Sequence, residues 1–177
     1  MQSKMQTKKT CRGYSIWMIP KNSAYSTLSS IIARISKEHN TPIFRPHITL
    51  IGEIKGDETD LAAKTEQLAS QISPFTVIPL QINLHNKYYR SLYLKLKETK
   101  ELIEANQKAQ EIFNKKENFF PHLSLMYGNI PTLKKLDIIS NLEKINNDIS
   151  INALYFYSTK GGIENWHEIK KFNLKCQ

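Results

Sequence analysis

Cysteine, acid and long apolar runs are all scarce in this chain, and each shortage removes a class of protein. Among 177 residues only Cys11 and Cys176 are cysteines, near opposite ends. Two thiols make neither a disulfide-stapled scaffold nor a cysteine-based zinc site. Free thiols in a reducing cytosol are the expectation, with one bridge tying the ends as the alternative. The apolar run Tyr14 to Pro20 is far too short to span a bilayer, so no membrane contact is expected. Residues 1–13 are polar and basic and lack the apolar stretch of a signal peptide. A loose leader ahead of a single domain over 14–177 is the simpler reading, organelle targeting the other. The expected location is the cytoplasm.

Acidic residues number 16 against 25 Lys and Arg, a formal net charge of +9. A positive field concentrates phosphorylated ligands and speeds their encounter. A Lys-rich surface that only keeps a protein soluble fits equally well, so charge suggests an anionic substrate without identifying it. With 40% hydrophobic and 23% charged residues, the rest is an ordinary globular composition.

The pattern of elements repeats. Tyr14 to Ile19 reads as a strand stopped by Pro20. Asn22 or Ser23 is placed to cap a helix with Leu28, Ile31, Ile32 and Ile35 on one face, finished before Pro42. Then come a Pro-His strand around His47, a helix over about Thr59 to Ile72, and strands over Phe75 to Leu84 and Tyr88 to Leu96. The order recurs with a helix over about Thr99 to Asn114, a Pro-His strand around His122, and a helix after Pro131 burying Leu133, Leu136, Ile139 and Leu142. Strands at about Ile149 to Tyr157 and Trp166 to Leu174 close the chain. The repeat predicts two α+β lobes related by approximate symmetry, each bringing one Pro-His strand to a shared cleft.

Residues i and i+2 of a strand share a face. His47 therefore projects with Thr49, and His122 with Ser124, each backed by apolar neighbours. Two imidazoles supply a base and an acid near neutral pH, and two hydroxyls supply donors for developing charge on phosphate oxygens. His39-Asn40-Thr41 fits the same triplet but lacks the context of aromatic, proline, alternation and glycine, so His39 reads as a surface residue. Trp17 and Tyr89 are placed to stack on a nucleobase or to fill the core. Arg45 and Arg90 could meet phosphate, although an arginine defaults to the surface. Lys160-Gly161-Gly162 reads as a turn and His167 as solvent-facing. No carboxylate or cysteine accompanies either Pro-His strand, so neither metal nor cofactor is expected.

On these residues the sequence resembles the 2H phosphoesterase superfamily, through His47-Ile48-Thr49-Leu50 and His122-Leu123-Ser124-Leu125. More closely it is similar to the cyclic phosphodiesterases of plants and fungi. The likeness extends through Tyr14 to Pro20, Phe44 to His47, Pro121 to Tyr127 and Trp166. The resemblance implies a bilobal α+β fold with helices outside and a cleft between two antiparallel sheets. It implies catalytic roles for His47, Thr49, His122 and Ser124 and a substrate contact for Tyr127. It also implies opening of nucleoside 2′,3′-cyclic phosphates and ADP-ribose 1″,2″-cyclic phosphate. The aromatics that relatives often carry are replaced here by Tyr88-Tyr89-Arg90, which leaves base or sugar recognition open. A monomer acting on a small nucleotide is expected. Processing of RNA ends and an inactive nucleotide- or RNA-binding module are the alternatives.

Overall fold

A computed structural model describes residues 10–175. Most of the expected leader and Cys176, hence the pairing of the cysteines, lie outside the described residues. Nine strands and four helices follow in chain order: β1 (Tyr14–Met18), α1 (Asn22–His39), β2 (Ile48–Ile54), α2 (Glu58–Ser70), β3 (Phe75–Val77), β4 (Pro79–Leu84), β5 (Leu92–Leu96), α3 (Lys100–Ile112), β6 (His122–Met126), α4 (Thr132–Ser140), β7 (Ile149–Ile151), β8 (Ala153–Ser158) and β9 (His167–Asn173). Asp57 caps α2 by accepting from the Thr59 and Asp60 amides, and Thr99 caps α3 by accepting from that of Leu102. Neither Asn22 nor Ser23 caps α1, which starts after Lys21 with no side-chain cap.

Seven strands form one antiparallel sheet in the order β4-β5-β6-β2-β1-β8-β9, while β3 and β7 pair separately. Replacing each strand by its repeat partner, β1 by β5, β2 by β6 and β4 by β8, reads the order backwards, with β9 an added edge. The repeat is therefore an approximate two-fold through the β2–β6 seam, where Ile48 and Leu123 are Cα partners. The repeats in sequence are not the lobes in space. The first half lends β4 to β5 and the second lends β8 to β1. The helices cross as well, α1 packing on β6 and α3 on β2. Leu28, Leu68, Leu102 and Ala109 from the helices join Ile48, Leu50, Leu123 and Leu125 in one apolar core. Strand alternation turns the opposite face of the sheet, with a smaller cluster of Trp17, Ile19, Tyr155 and Tyr157, toward the cleft.

Several expectations are corrected. Residues 75–84 and 149–157 are each broken in two. Pro79 has no N–H for a continuous ladder, and the freed β3 and β7 pair with each other. Tyr88–Arg90 is a 3₁₀ turn rather than strand, closed by the Arg90 amide on the Lys87 carbonyl at 3.0 Å, while the Tyr88 carbonyl accepts from the Gly128 amide at 2.9 Å. On α4 the buried residues are Lys135 and Ile138, whereas Leu133 is 82% and Leu136 51% exposed. Cys11 belongs to the fold, not to a loose leader, since its N–H and C=O both bond Gly161 at 3.0 Å. His39 is half-buried, with a ring nitrogen lacking a partner, rather than a surface residue. His167 is exposed, as expected. Among the described residues no helix is long and apolar enough to cross a membrane.

Candidate active site

His47 immediately precedes β2 and His122 opens β6. In both cases the proline just before directs the preceding carbonyl back at the ring. His47 Nδ1 lies 2.7 Å from the Arg45 carbonyl and His122 Nδ1 2.7 Å from the Phe120 carbonyl. A carbonyl oxygen only accepts, so Nδ1–H is the donor in both rings, and in each neutral imidazole Nε2 is left unprotonated.

The antiparallel register sets the rest. With Ile48 opposite Leu123, one step either way places His47 opposite Ser124 and Thr49 opposite His122. Directly opposed residues share a face at close Cβ spacing. Each histidine thus sits beside the hydroxyl of the other motif as well as its own, and the four groups form a crossed square over the seam. They line a cavity of about 260 Å³ together with Trp17, Tyr89, Tyr127 and Trp166.

The two rings sit in different surroundings. His47 is 6% exposed, and the Trp17 indole lies parallel on it at 3.6 Å and 11°. Tyr157 stacks on the same indole at 3.9 Å, which leaves Trp17 no free face. Of the two readings of Trp17, stacking on a base or packing, the structure shows packing, with the indole a seat for His47. The symmetry mate of Trp17 is Tyr93, the Cα partner of Ser124 as Trp17 is of Thr49. Tyr93 meets His122 edge-on at 5.7 Å and 83°. Burial lowers the pKa of His47 to about 4, helped by the charges of His122 and Arg45 and opposed by the hydrogen bond to the Arg45 carbonyl. Burial and then the Arg90 charge lower that of His122 to about 4 against its own carbonyl bond. Both imidazoles are neutral at pH 7 in the free protein.

The Ser124 hydroxyl donates to the Tyr89 carbonyl at 2.9 Å. The buried Tyr127 phenol stands 3.5 Å from His47 Nε2, so a residue just past β6 reaches the histidine of the other motif. Its ring stacks on Phe44 at 3.7 Å. Tyr89 packs on Trp166 at 5.6 Å, and its hydroxyl bonds the Cys11 thiol. Arg45 does not reach the cavity; it is held by Glu168 at 2.7 Å and the Tyr157 hydroxyl at 2.8 Å. Cys11, Ser15, Glu53 and Thr159 also line the cavity. Sequence reasoning missed Cys11, Ser15 and Thr159 because they arrive through long-range pairings, Cys11 with Gly161 and Ser15 with Thr159; Glu53, in β2 itself, and Cys11 bring a carboxylate and a thiol to the histidines where neither was expected. Only the glycine pair at Gly161 hinted that the chain folds back there. Among the described residues no three of His, Cys, Asp and Glu gather as metal ligands.

Known proteins share this arrangement of elements. TT0787 of Thermus thermophilus superposes with a TM-score of 0.63 at 12% identity, covering 92% of this chain and 98% of that one. Escherichia coli LigT complexed with 3′-AMP also superposes with a TM-score of 0.63, at 11% identity over 95% of this chain and all of LigT. Such identities speak for fold alone. In sequence, the cyclic phosphodiesterase of Arabidopsis thaliana is 22% identical over 124 residues, 69% of this chain and 68% of that protein. The family of cyclic phosphodiesterase-like proteins matches residues 12–174, which takes in β1 through β9 and both histidine motifs. A match across nearly the whole fold settles membership: this chain belongs to the cyclic phosphodiesterase-like family of 2H phosphoesterases.

Proposed function

We propose that this chain hydrolyses nucleotide-type cyclic phosphates, nucleoside 2′,3′-cyclic phosphate to the 2′-phosphate and ADP-ribose 1″,2″-cyclic phosphate to the 1″-phosphate. The observation that carries the reading is the crossed square, in which two imidazoles with unprotonated Nε2 atoms and two hydroxyls surround one cavity. For a 2′,3′-cyclic phosphate, one neutral imidazole takes a proton from water as its oxygen bonds to phosphorus. The P–O3′ bond breaks on the far side, and the other imidazole, protonated, gives its proton to O3′. The net change is one water consumed. The Thr49 and Ser124 hydroxyls donate to the non-bridging oxygens as charge builds there, Ser124 leaving the Tyr89 carbonyl to do so. Since both rings are neutral in the free protein, the acid gains its proton with substrate, whose negative charge favours imidazolium. These groups supply proton transfer and charge stabilisation, so no metal is required. LigT, complexed with 3′-AMP, supports a nucleotide in such a cleft; here Tyr89 and Trp166 offer the aromatic surface for a base.

Product analysis on adenosine 2′,3′-cyclic phosphate with EDTA present tests the reading. The 2′-phosphate is expected, and His47→Ala and His122→Ala are each expected to lower turnover about 10²- to 10⁴-fold with the fold retained. Unchanged turnover in both variants, or activity abolished by EDTA, would overturn it.

A further inference from the structure

The arginines nearest the two histidines are treated differently. Arg45 is neutralised by Glu168. Arg90 ends the 3₁₀ turn, and among the described residues no carboxylate comes within ion-pairing distance of it. Its guanidinium carbon lies 4.5 Å over the Phe120 ring and 5.8 Å over that of Tyr93. Those two rings flank His122 at 5.5 and 5.7 Å. The turn is fastened to β6, with the Tyr88 carbonyl on the Gly128 amide and the Tyr89 carbonyl on Ser124. The Arg90 charge is therefore held in place beside His122 rather than free to swing away. Lys95 is the Cα partner of His122, so it rises from the same face of the sheet, half-buried and likewise without a carboxylate among the described residues.

A seated guanidinium and a lysine on the strand face that carries His122 both oppose the proton that ring must gain. An anion joining them offsets that opposition. The tetrad at the β2–β6 seam serves the phosphate being opened. Lys95 belongs to the next strand outward, about 5 Å further from the seam, and so addresses a different anion. A ribose carries its 5′ oxygen across the ring from the 2′ and 3′ oxygens, which gives the required offset.

We infer that Arg90, seated on Phe120, and Lys95 form a second anion subsite that receives the 5′-phosphate of a nucleotide whose 2′,3′-cyclic phosphate lies between the histidines. The placement of that cyclic phosphate rests on the hydrolysis proposed above. The subsite favours substrates carrying a second phosphate over bare cyclic nucleosides.

Adenosine 2′,3′-cyclic phosphate and its 5′-phosphorylated derivative differ by that one group. The wild type is expected to show kcat/KM about tenfold higher on the 5′-phosphorylated compound, mostly through KM, the size of one charge-assisted contact. Arg90→Gln should bring the ratio close to one, Arg90→Lys should keep part of it, and Lys95→Gln should lower it. Equal kcat/KM on the two compounds in the wild type, or an Arg90→Gln variant that slows both in proportion, overturns the subsite. If neither compound is turned over, the hydrolysis is wrong, and the subsite is read by tryptophan fluorescence instead. There the wild type should bind adenosine 5′-phosphate more tightly than adenosine, and Arg90→Gln should close the gap. Equal binding in the wild type overturns the inference independently.

Discussion

Trp17 and Tyr93 occupy equivalent places on the two sides of the seam, opposite Thr49 and Ser124. A parallel indole at 3.6 Å shields one whole face of the His47 ring from water, whereas a phenol edge at 5.7 Å leaves His122 more open. Burial is the largest influence lowering the affinity of His47 for a proton, and the indole is a large part of that burial. Trp17→Leu admits water to the ring and is expected to raise the His47 pKa from about 4 toward its ordinary 6.5. NMR titration of the imidazole Cε1–H signals measures the shift. Loss of ring-face attraction for an imidazolium pulls the other way but is the smaller influence, so an unchanged or lower pKa would count against the shielding role. The variant should also turn over more slowly, because the ring loses its fixed orientation. Its stability cost should stay below the roughly 3–5 kcal/mol of truncating a buried tryptophan to alanine.

At the scale of elements, α4 shows where a periodic pattern misleads. Leu133, Leu136, Ile139 and Leu142 recur at helical spacing, yet the helix sits on β4 with Lys135 inward at 2% exposure. The Lys135 ammonium donates to the His85 carbonyl at 2.8 Å and to Asn86 Oδ1 at 3.3 Å, closing the loop between β4 and β5. Its stem fills apolar space while its charged end satisfies backbone, and no periodicity signals a partner 50 residues away. Lys135→Ala leaves that carbonyl unmet and should cost about 1–3 kcal/mol in urea denaturation. It should also speed amide exchange at Arg90, whose turn the loop leads into. Leu133→Ser should stay within about 0.5 kcal/mol of wild type, where an inward-facing Leu133 would cost several times more. The same logic separates what the sequence discloses from what it hides. The chain order of the elements and both histidine–hydroxyl pairs were readable, because strand alternation and the Pro-His context are local. The exchange of β4 and β8, the crossing of α1 and α3, and the arrival of Cys11 and Thr159 in the cavity were not, because each is decided by partners far along the chain. Arg90 lies between these cases. Its position beside Tyr89 is plain in the sequence, but its seat on Phe120 exists only once the 3₁₀ turn replaces the expected strand.

For the whole molecule, the two-fold places the catalytic seam at the weakest join of the sheet, one Cα pair between β2 and β6. Two imidazoles that resist protonation flank it, and this couples folding to pH. In the unfolded chain each histidine takes a proton near pH 6.5, whereas in the fold each waits until about pH 4. Between those values the unfolded state binds more protons, so stability falls as pH drops. Above pH 6.5 the two states bind equally and this dependence vanishes. Below pH 4 the loss is complete, at about 3 kcal/mol for each ring. Carboxylates add their own acid sensitivity, so the histidine share is isolated by comparison with His47→Asn/His122→Asn. Urea midpoints of the wild type should fall more steeply than those of the double variant from pH 6.5 to 4, with parallel curves above pH 7. Inorganic phosphate favours the protonated rings and should narrow the difference most at pH 5 to 6. If the double variant loses stability as steeply as the wild type, the histidines are not held neutral at the seam.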